Sequence, residues 1–147
     1  MNMDRVKAYI LVAIQAICLL AIFASGHPLA SRLPLAILEI SGIALGLWAM
    51  VVMGLGNINV TPLVKREARL VTSGPYAVIR HPMYAALLLA AWPLIIDSYS
   101  LIRLSAGLIL TVDLVVKLFY EEHLLRRHFA GYDAYARTTK RLIPFVW

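Results

Sequence analysis

Four long apolar runs dominate the chain and restrict what it can fold into. They cover residues 6–25, 34–55, 82–96 and 101–119. An apolar α-helix of roughly 20 residues crosses the hydrocarbon core of a bilayer, and a shorter one has to tilt or lean on its neighbours. The third run is the short one. The sequence therefore predicts an all-α integral membrane protein with four transmembrane helices.

The composition agrees with this prediction, since 61% of the residues are hydrophobic and only 15% are charged. Soluble domains are about half apolar and a quarter charged. The single cysteine, Cys18, lies inside the first run, so a disulfide framework or a thiolate metal site is not available. The first run also resembles a signal peptide, but it is long for one, and we interpret it as a retained span.

The third and fourth runs are separated only by the polar residues 97–100. We expect them to form an antiparallel helical hairpin that Pro93 and this turn close. A polar helix is expected to continue over residues 121–129 and to end near Gly131. No internal repeat or long linker interrupts the sequence, so residues 1–147 are interpreted as one domain, with a ligand-binding part over about residues 54–147.

Basic residues are distributed unequally about the predicted spans. Twelve of the 14 would lie on one side of the membrane, and only Arg32 and Arg103 on the other. The twelve are Arg5, Lys7, Lys65, Arg66, Arg69, Arg80, Lys117, Arg126, Arg127, Arg137, Lys140 and Arg141. The positive-inside rule then places both termini and the central loop in the cytoplasm. This bias and anionic lipid headgroups account for the net charge of +6, so no nucleic-acid partner is required.

Charged and aromatic residues gather at the predicted cytoplasmic start of the third run, where residues 73–84 read SGPYAVIRHPMY. A proline such as Pro82 suits the first turn of a helix. His81 and Tyr84, three residues apart, then point to the same side. The hairpin returns the end of the fourth run to the same membrane face, which brings Glu121 and Glu122 close to this stretch.

This set of side chains suits a ligand of mixed charge. Carboxylates and tyrosine faces attract a cation, whereas Arg80, His81 and the helix start attract an anion. S-adenosylmethionine has both kinds of charge, but other mixed-charge ligands satisfy the same physics. Capping and interfacial anchoring are the alternative explanation for each motif alone. If both glutamates instead serve the site from the membrane interface, where exposed carboxylates change stability little, replacing each with Gln is expected to leave folding nearly intact and to weaken ligand binding at least tenfold.

Two stretches carry a family resemblance: GPYAVIRHPMY at residues 74–84, and EEHLLRRHFAGYDAYARTTKRLIP at residues 121–144. Together they closely resemble the isoprenylcysteine carboxyl methyltransferase-like family, especially its short prokaryotic members. The wider group includes phospholipid N-methyltransferases. The resemblance extends from about Leu47 to the carboxyl terminus. Any one of the motifs alone would be a weak indication, and their combination is specific.

The resemblance implies a multi-pass methyltransferase of the cell membrane that uses S-adenosylmethionine. It also implies a lipophilic small-molecule or lipidated acceptor that arrives from the bilayer, with a phospholipid amine as the alternative. An ammonium acceptor would need a general base, for which Glu121, Glu122 and His123 remain open. The implied cofactor-binding residues are Tyr76, Arg80, His81, Tyr84, Glu121, Glu122, Tyr132, Tyr135 and Arg141, with Pro144 helping to close the pocket.

The chain departs from the family pattern at two positions. Ala86 stands where glycine is frequent, and Lys117 where an arginine is frequent, which weakens any expectation of a bidentate arginine clamp there. A sterol-reductase-like protein with a nicotinamide cofactor has a related carboxyl-terminal pattern, but such chains are much longer. A non-catalytic membrane adaptor or transporter subunit would explain the spans and leave the clustered motifs without a cause.

Polar residues and glycines inside the runs carry further expectations. Asp113 and Lys117 are one helical turn apart and form either an internal ion pair or part of a site. Gly42 and Gly46 predict a face on which another helix packs closely.

Overall fold

The computed structural model describes residues 3–54, 56–59, 61–64 and 67–147. Within these ranges the chain is helical, and its only strand-like pairing is an isolated parallel bridge between Ile79 and Lys140. The predicted all-α fold is confirmed. The helices are α1 (Met3–Ala24), α2 (Leu33–Met53), α3 (Pro82–Asp97), α4 (Leu101–His128) and α5 (Tyr132–Thr138), with a 3-10 turn at Gly74–Ala77.

Two described helices, α1 and α2, are long and apolar enough to cross a membrane. Helix α3 is apolar but has 16 residues, and α4 carries charged side chains along much of its length. The prediction of four spans is therefore supported for two helices and stays a prediction for the other two. Leu55, at the end of the second predicted run, and Lys65 and Arg66 of the basic loop lie outside the described residues.

Helices α3 and α4 form the predicted hairpin. Helix α3 begins at Pro82, where a missing N–H leaves no hydrogen bond unmade, and His81 is its N-cap residue. Pro93 does not close the hairpin as expected, because it lies inside α3, which continues to Asp97. Residues 98–100 alone make the turn. Helix α4 then extends past the apolar run to His128, which confirms the predicted polar extension.

Close helix packing holds the bundle together. Helices α1 and α4 meet through a buried cluster that includes Cys18, Ile22 and Leu114. Helix α2 lies so close to α3 that a Cβ atom built on Gly42 would come within 2.7 Å of the Ala90 nitrogen. The predicted packing face on α2 is confirmed, since small residues allow two backbones to approach within contact distance.

Of the two alternatives for Asp113 and Lys117, the internal ion pair is not formed. Both carboxylate oxygens of buried Asp113 lack a hydrogen-bond partner within the described part of the chain. Lys117 instead donates to the side-chain oxygen of Gln15 on α1. Glu39 is also buried, and it accepts the N–H of Ala30 at 2.9 Å.

At the turn end of the hairpin, polar side chains tie the α1–α2 loop to α3 and α4. Asp97 accepts the backbone N–H of Ser31 at 2.7 Å. Arg103 is completely buried and donates to the carbonyl oxygens of Leu94 at 2.7 Å and His27 at 2.8 Å. These bonds satisfy backbone groups that would otherwise be buried without partners.

At the opposite end, the carboxyl-terminal tail is bonded along the segment that precedes α3. The N–H groups of Arg80 and His81 donate to the carbonyl oxygens of Lys140 at 2.7 Å and Arg141 at 3.0 Å. The N–H of Lys140 donates back to Val78 at 3.1 Å. The tail therefore fixes the backbone that carries Arg80 and His81.

Candidate functional site

Arg80 is the centre of a buried polar cluster at the open end of the α3–α4 hairpin. Its Nε donates to Glu122 Oε1 at 2.8 Å, and the exposed fractions of the two side chains are 7% and 1%. One terminal nitrogen donates to the carbonyl oxygens of Ala136 at 2.9 Å and Thr139 at 2.5 Å. Arg80 thus joins α4, α5 and the tail through a single guanidinium group.

Glu122 is surrounded by positive groups. Its Oε2 atom lies 3.3 Å from Arg141 Nε and 3.6 Å from an Arg126 terminal nitrogen, and Oε1 lies 3.6 Å from His81 Nε2. Burial alone would raise the pKa of this carboxyl group. Interactions with His81 and Arg80 outweigh burial and bring the pKa of Glu122 down to about 2. Glu122 is therefore a buried carboxylate, which contradicts the surface exposure from which a mild effect of Glu122→Gln was expected.

Glu121 has a different environment, although it is the next residue. Its side chain is 30% exposed, and its Oε2 accepts the Tyr84 hydroxyl at 2.7 Å. The nearest positive candidate is His81, whose Nδ1 lies 3.7 Å from the same oxygen. No arginine or lysine forms an ion pair with Glu121 within the described ranges. This carboxylate can still interact with a cationic ligand.

His81 and Tyr84 form a flat aromatic pair at the start of α3. Their rings are stacked, with centroids 5.4 Å apart and an angle of 6° between planes. The predicted placement of both side chains on one side of the first turn is confirmed. His81 is 5% exposed, and its Nε2 lies 3.6 Å from Glu122 Oε1, just beyond hydrogen-bond distance. This nitrogen therefore faces the buried carboxylate, and Nδ1 on the other side of the ring lies 3.7 Å from Glu121 Oε2.

Three further tyrosines line the same region. The Tyr135 hydroxyl donates to the Tyr76 carbonyl oxygen at 2.7 Å, whereas the buried Tyr132 hydroxyl has no hydrogen-bond partner among the described residues. Burial raises the pKa of Tyr135 to about 12 and raises the pKa values of Tyr76 and Tyr132 even further. All three hydroxyl groups stay protonated at neutral pH, so they act as hydrogen-bond donors and not as bases.

These side chains surround a cavity of about 120 Å³. Seven of the nine predicted site residues line it: Tyr76, Arg80, His81, Tyr84, Glu121, Tyr132 and Tyr135. Glu122 and Arg141 do not line the cavity. They lie behind its wall, where Glu122 forms ion pairs with Arg80 and Arg141. Pro144 and His123 are exposed and do not line the cavity. The structure therefore gives no support to Pro144 as a closing residue or to His123 as a base.

The loop after α2 supplies a wall that sequence reasoning missed. Its lining residues include Asn57 and Asn59. Asn57 holds the loop in a closed path, because its side-chain amide donates to the Arg69 carbonyl at 2.9 Å and accepts the Arg69 N–H at 2.9 Å. The sequence offered one indication of this wall: Asn57 and Asn59 follow soon after α2, and α2 ends at the same end of the bundle as the site.

A second cavity, of about 580 Å³, lies between α1, α2 and α3. Its walls are almost entirely apolar, with Glu39 toward the turn end of the hairpin. Met83 lines both this cavity and the polar one. The two cavities thus border the same flexible side chain at the start of α3.

Residues 34–131 match the phospholipid methyltransferase family. The matched segment contains α2, α3, α4 and the stretch that includes Arg80, His81, Glu121 and Glu122. The chain belongs to this family, and with it to a group of membrane methyltransferases. The wider group predicted from the motifs is confirmed, and the narrower isoprenylcysteine likeness stays a prediction.

A curated relative is the nickel-cobalt-cadmium resistance protein NccN of Alcaligenes xylosoxydans xylosoxydans, which is 37% identical over 82 residues. The aligned part covers 54% of this chain and 38% of the relative. The chain thus spans well under half the length of that protein. No solved structure matches the chain.

Proposed function

We propose that the protein is an integral-membrane methyltransferase that uses S-adenosylmethionine and modifies a lipophilic or membrane-associated acceptor. The observation that carries this proposal is that Met83 lines two cavities of different character. The smaller, called the polar cavity, combines apolar residues with Glu121 and the stacked His81–Tyr84 rings, and the other is apolar and large enough for hydrocarbon. Family membership supports the reaction type.

The side chains around the polar cavity suit this cofactor. The Glu121 carboxylate and the His81–Tyr84 rings would face its positive groups. The Tyr132 hydroxyl, which has no hydrogen-bond partner among the described residues, would be available to its polar atoms. Arg80 has a different role from the one expected, since its guanidinium group is bonded to Glu122 and the tail and positions His81 from behind.

The cavity is smaller than a typical binding pocket, so cofactor binding requires it to widen. Pockets for small molecules are typically about 300–1,000 Å³, whereas this one is about 120 Å³. The loop that Asn57 and Arg69 close would therefore have to move outward for a cofactor of this size to enter. When bound, S-adenosylmethionine supplies an electrophilic methyl group on a sulfonium.

The proposed methyl transfer needs little covalent catalysis by the protein. The aromatic rings and Glu121 orient the reacting groups, and the loop and the tail exclude water. Alignment of this kind contributes about 7–11 kcal/mol in favourable cases. For an ammonium acceptor such as a phospholipid amine, a base has to remove a proton. Of the three candidates, Glu121 alone lines the cavity without an arginine partner, and it would accept that proton.

The acceptor would approach from the bilayer through the apolar cavity between α1, α2 and α3. In the proposed topology four spans cross the cell membrane, with both termini and the polar cavity on the cytoplasmic side. The exposed apolar faces of α1 and α2 support contact with lipid. Phospholipid amines and prenylcysteine carboxylates both combine a hydrocarbon part with a reactive head, so both suit this arrangement.

Cofactor binding tests the proposal directly. We expect the wild-type protein in nanodiscs to bind S-adenosylhomocysteine in calorimetry and not to bind NADPH. Glu121→Gln should weaken the binding at least tenfold, about 1.4 kcal/mol. Glu67→Gln is the matched control, because this exposed glutamate lies outside the cavity lining. Retention of neither ligand by the wild-type protein would favour an adaptor, and retention of NADPH alone a reductase.

Labelled methyl transfer then identifies the acceptor. Wild-type protein is supplied side by side with membrane phospholipid extract, prenylcysteine analogues and small thiols. Label in the phospholipid amine fraction that Glu121→Gln abolishes supports the amine acceptor and the base. Label in prenylcysteine esters that survives Glu121→Gln supports the carboxylate acceptor, which needs no base.

A further inference from the structure

The chain ends in a tight turn that presents apolar side chains outward. Ile143, Phe145 and Val146 are 54%, 89% and 71% exposed. The turn is closed by hydrogen bonds between the main chains of Ile143 and Trp147, at 2.8 and 3.1 Å. Phe145 has a φ of 64°, a conformation that is uncommon for a bulky residue. The backbone thus adopts an unfavourable conformation that leaves an aromatic ring uncovered.

This C-terminal turn, residues 143–147, adjoins the outward face of α4. The Trp147 ring contacts Phe119 edge-on, with centroids 6.2 Å apart. Phe119 is half exposed, and Val116 and Val112 follow it at one-turn intervals with exposures of 48% and 63%. The turn therefore extends the apolar stripe of α4 beyond the end of the proposed span.

Positive groups accompany the turn. Arg141 lies over the Phe119 and Trp147 rings, at 5.2 and 5.6 Å from their centroids, and Lys140 and Arg137 are exposed. Aromatic rings combined with lysine and arginine are typical of segments at the boundary between lipid headgroups and hydrocarbon. The charge suits anionic headgroups.

We propose that the C-terminal turn inserts into the cytoplasmic interface of an anionic bilayer and thereby holds the tail against Arg80 and His81. The carbonyl oxygens of Lys140 and Arg141 accept the N–H groups of Arg80 and His81. Only Leu142 separates these residues from the turn, and its N–H donates to the Trp147 carbonyl oxygen at 2.9 Å. A turn seated in lipid restricts these residues, and release of the turn loosens the segment that carries the site. The inference rests on the proposed membrane topology, not on the identity of the cofactor.

Spin labelling tests the first part. Labels are attached at Phe145→Cys and, as the control, at Ala134→Cys on an exposed position of α5, both in a Cys18→Ser background. The protein is placed in nanodiscs of phosphatidylcholine and phosphatidylglycerol. We expect the label at 145 to collide more with oxygen than with a water-soluble nickel chelate, and the label at 134 to show the reverse. Equal nickel access at both sites would overturn the proposal, as would shielding of 145 from both relaxants, which indicates a second protein copy.

Amide exchange tests the coupling without any ligand. In the same nanodiscs, Phe145→Asp should speed exchange of the Arg80 and His81 amides at least tenfold, whereas Phe145→Leu should leave it within twofold. Exchange in the core of α4 should not change in either variant. Unchanged exchange at residues 80–81 in Phe145→Asp would contradict the coupling. Because no cofactor is present, this result stands whether or not S-adenosylhomocysteine binds.

Discussion

The two ends of the α3–α4 hairpin each bury an arginine, but the two arginines have different surroundings. Arg103, at the turn end, donates to carbonyl oxygens of neighbouring segments. Arg80, at the open end, pairs with Glu122 and also bonds the tail. Next to Arg80 lies a cavity lined by Tyr132, whose hydroxyl has no hydrogen-bond partner among the described residues. Arg103 Nε also lacks such a partner, but Arg103 lines neither cavity. A buried cation by itself therefore indicates a structural tie, whereas an unpaired polar group beside a cavity indicates a binding site.

The largest expected effect comes from breaking the ion pairs at the open end. Glu122→Gln leaves Arg80 and Arg141 without their carboxylate and should lower the free energy of unfolding by about 3–5 kcal/mol. Glu121→Gln, one residue away, should change it by about 0.5 kcal/mol. Thermal unfolding in nanodiscs measures both. Equal losses of unfolding free energy in the two variants would contradict the assignment of Glu122 as structural and of Glu121 as ligand-facing.

Acid should weaken the same end of the molecule. The pKa of Glu122 falls from its ordinary value of 4.5 to about 2 on folding. A lowered pKa means that the unfolded chain binds more protons, so this stabilisation is complete above pH 4.5 and is lost as pH falls toward 2. Unfolding of wild type and Glu122→Gln across this range should converge at the acid end. A constant difference between them would show that Glu122 does not titrate as described.

At the turn end, Arg103→Met should affect stability and leave binding unchanged. The change removes two hydrogen bonds to buried carbonyl oxygens and should lower the free energy of unfolding by about 2–3 kcal/mol. The affinity of the folded fraction for S-adenosylhomocysteine should stay within twofold of wild type. A tenfold loss of affinity would mean that the two ends are coupled and that the comparison fails.

The smallest stability effect is expected for Tyr132→Phe. Its buried hydroxyl has no partner in the part of the chain that the structure describes, so its removal should change the free energy of unfolding by less than about 0.5 kcal/mol. Affinity for S-adenosylhomocysteine should nevertheless fall about threefold, because the hydroxyl is free to donate to a ligand. In the control Tyr135→Phe, loss of the bond to the Tyr76 carbonyl should destabilise the fold by about 1 kcal/mol. Unchanged affinity in Tyr132→Phe would show that this hydroxyl does not bond the ligand.

Local patterns were sufficient for much of the fold. The apolar runs predicted the helices, and Pro82 marked the start of α3, because a proline at this position and the period of a helix act over a few residues. The predictions that failed concerned which partner a side chain chooses. Lys117 bonds Gln15 on another helix instead of Asp113 one turn away, and Pro93 stays within its helix. Such choices depend on residues that are distant in sequence.

The sequence by itself determined that Arg80, His81 and Tyr84 lie at one helix start and that a glutamate pair returns to them, because only four polar residues, 97–100, separate the two apolar runs and a connection that short makes the helices antiparallel. Only the tertiary structure decided which glutamate faces the cavity. Adjacent helix positions point about 100° apart, so the packing of α4 against the tail turns Glu122 toward the arginines and leaves Glu121 beside Tyr84. The loop wall at Asn57 was likewise decided by tertiary contacts, since no local pattern states which surface a loop will cover.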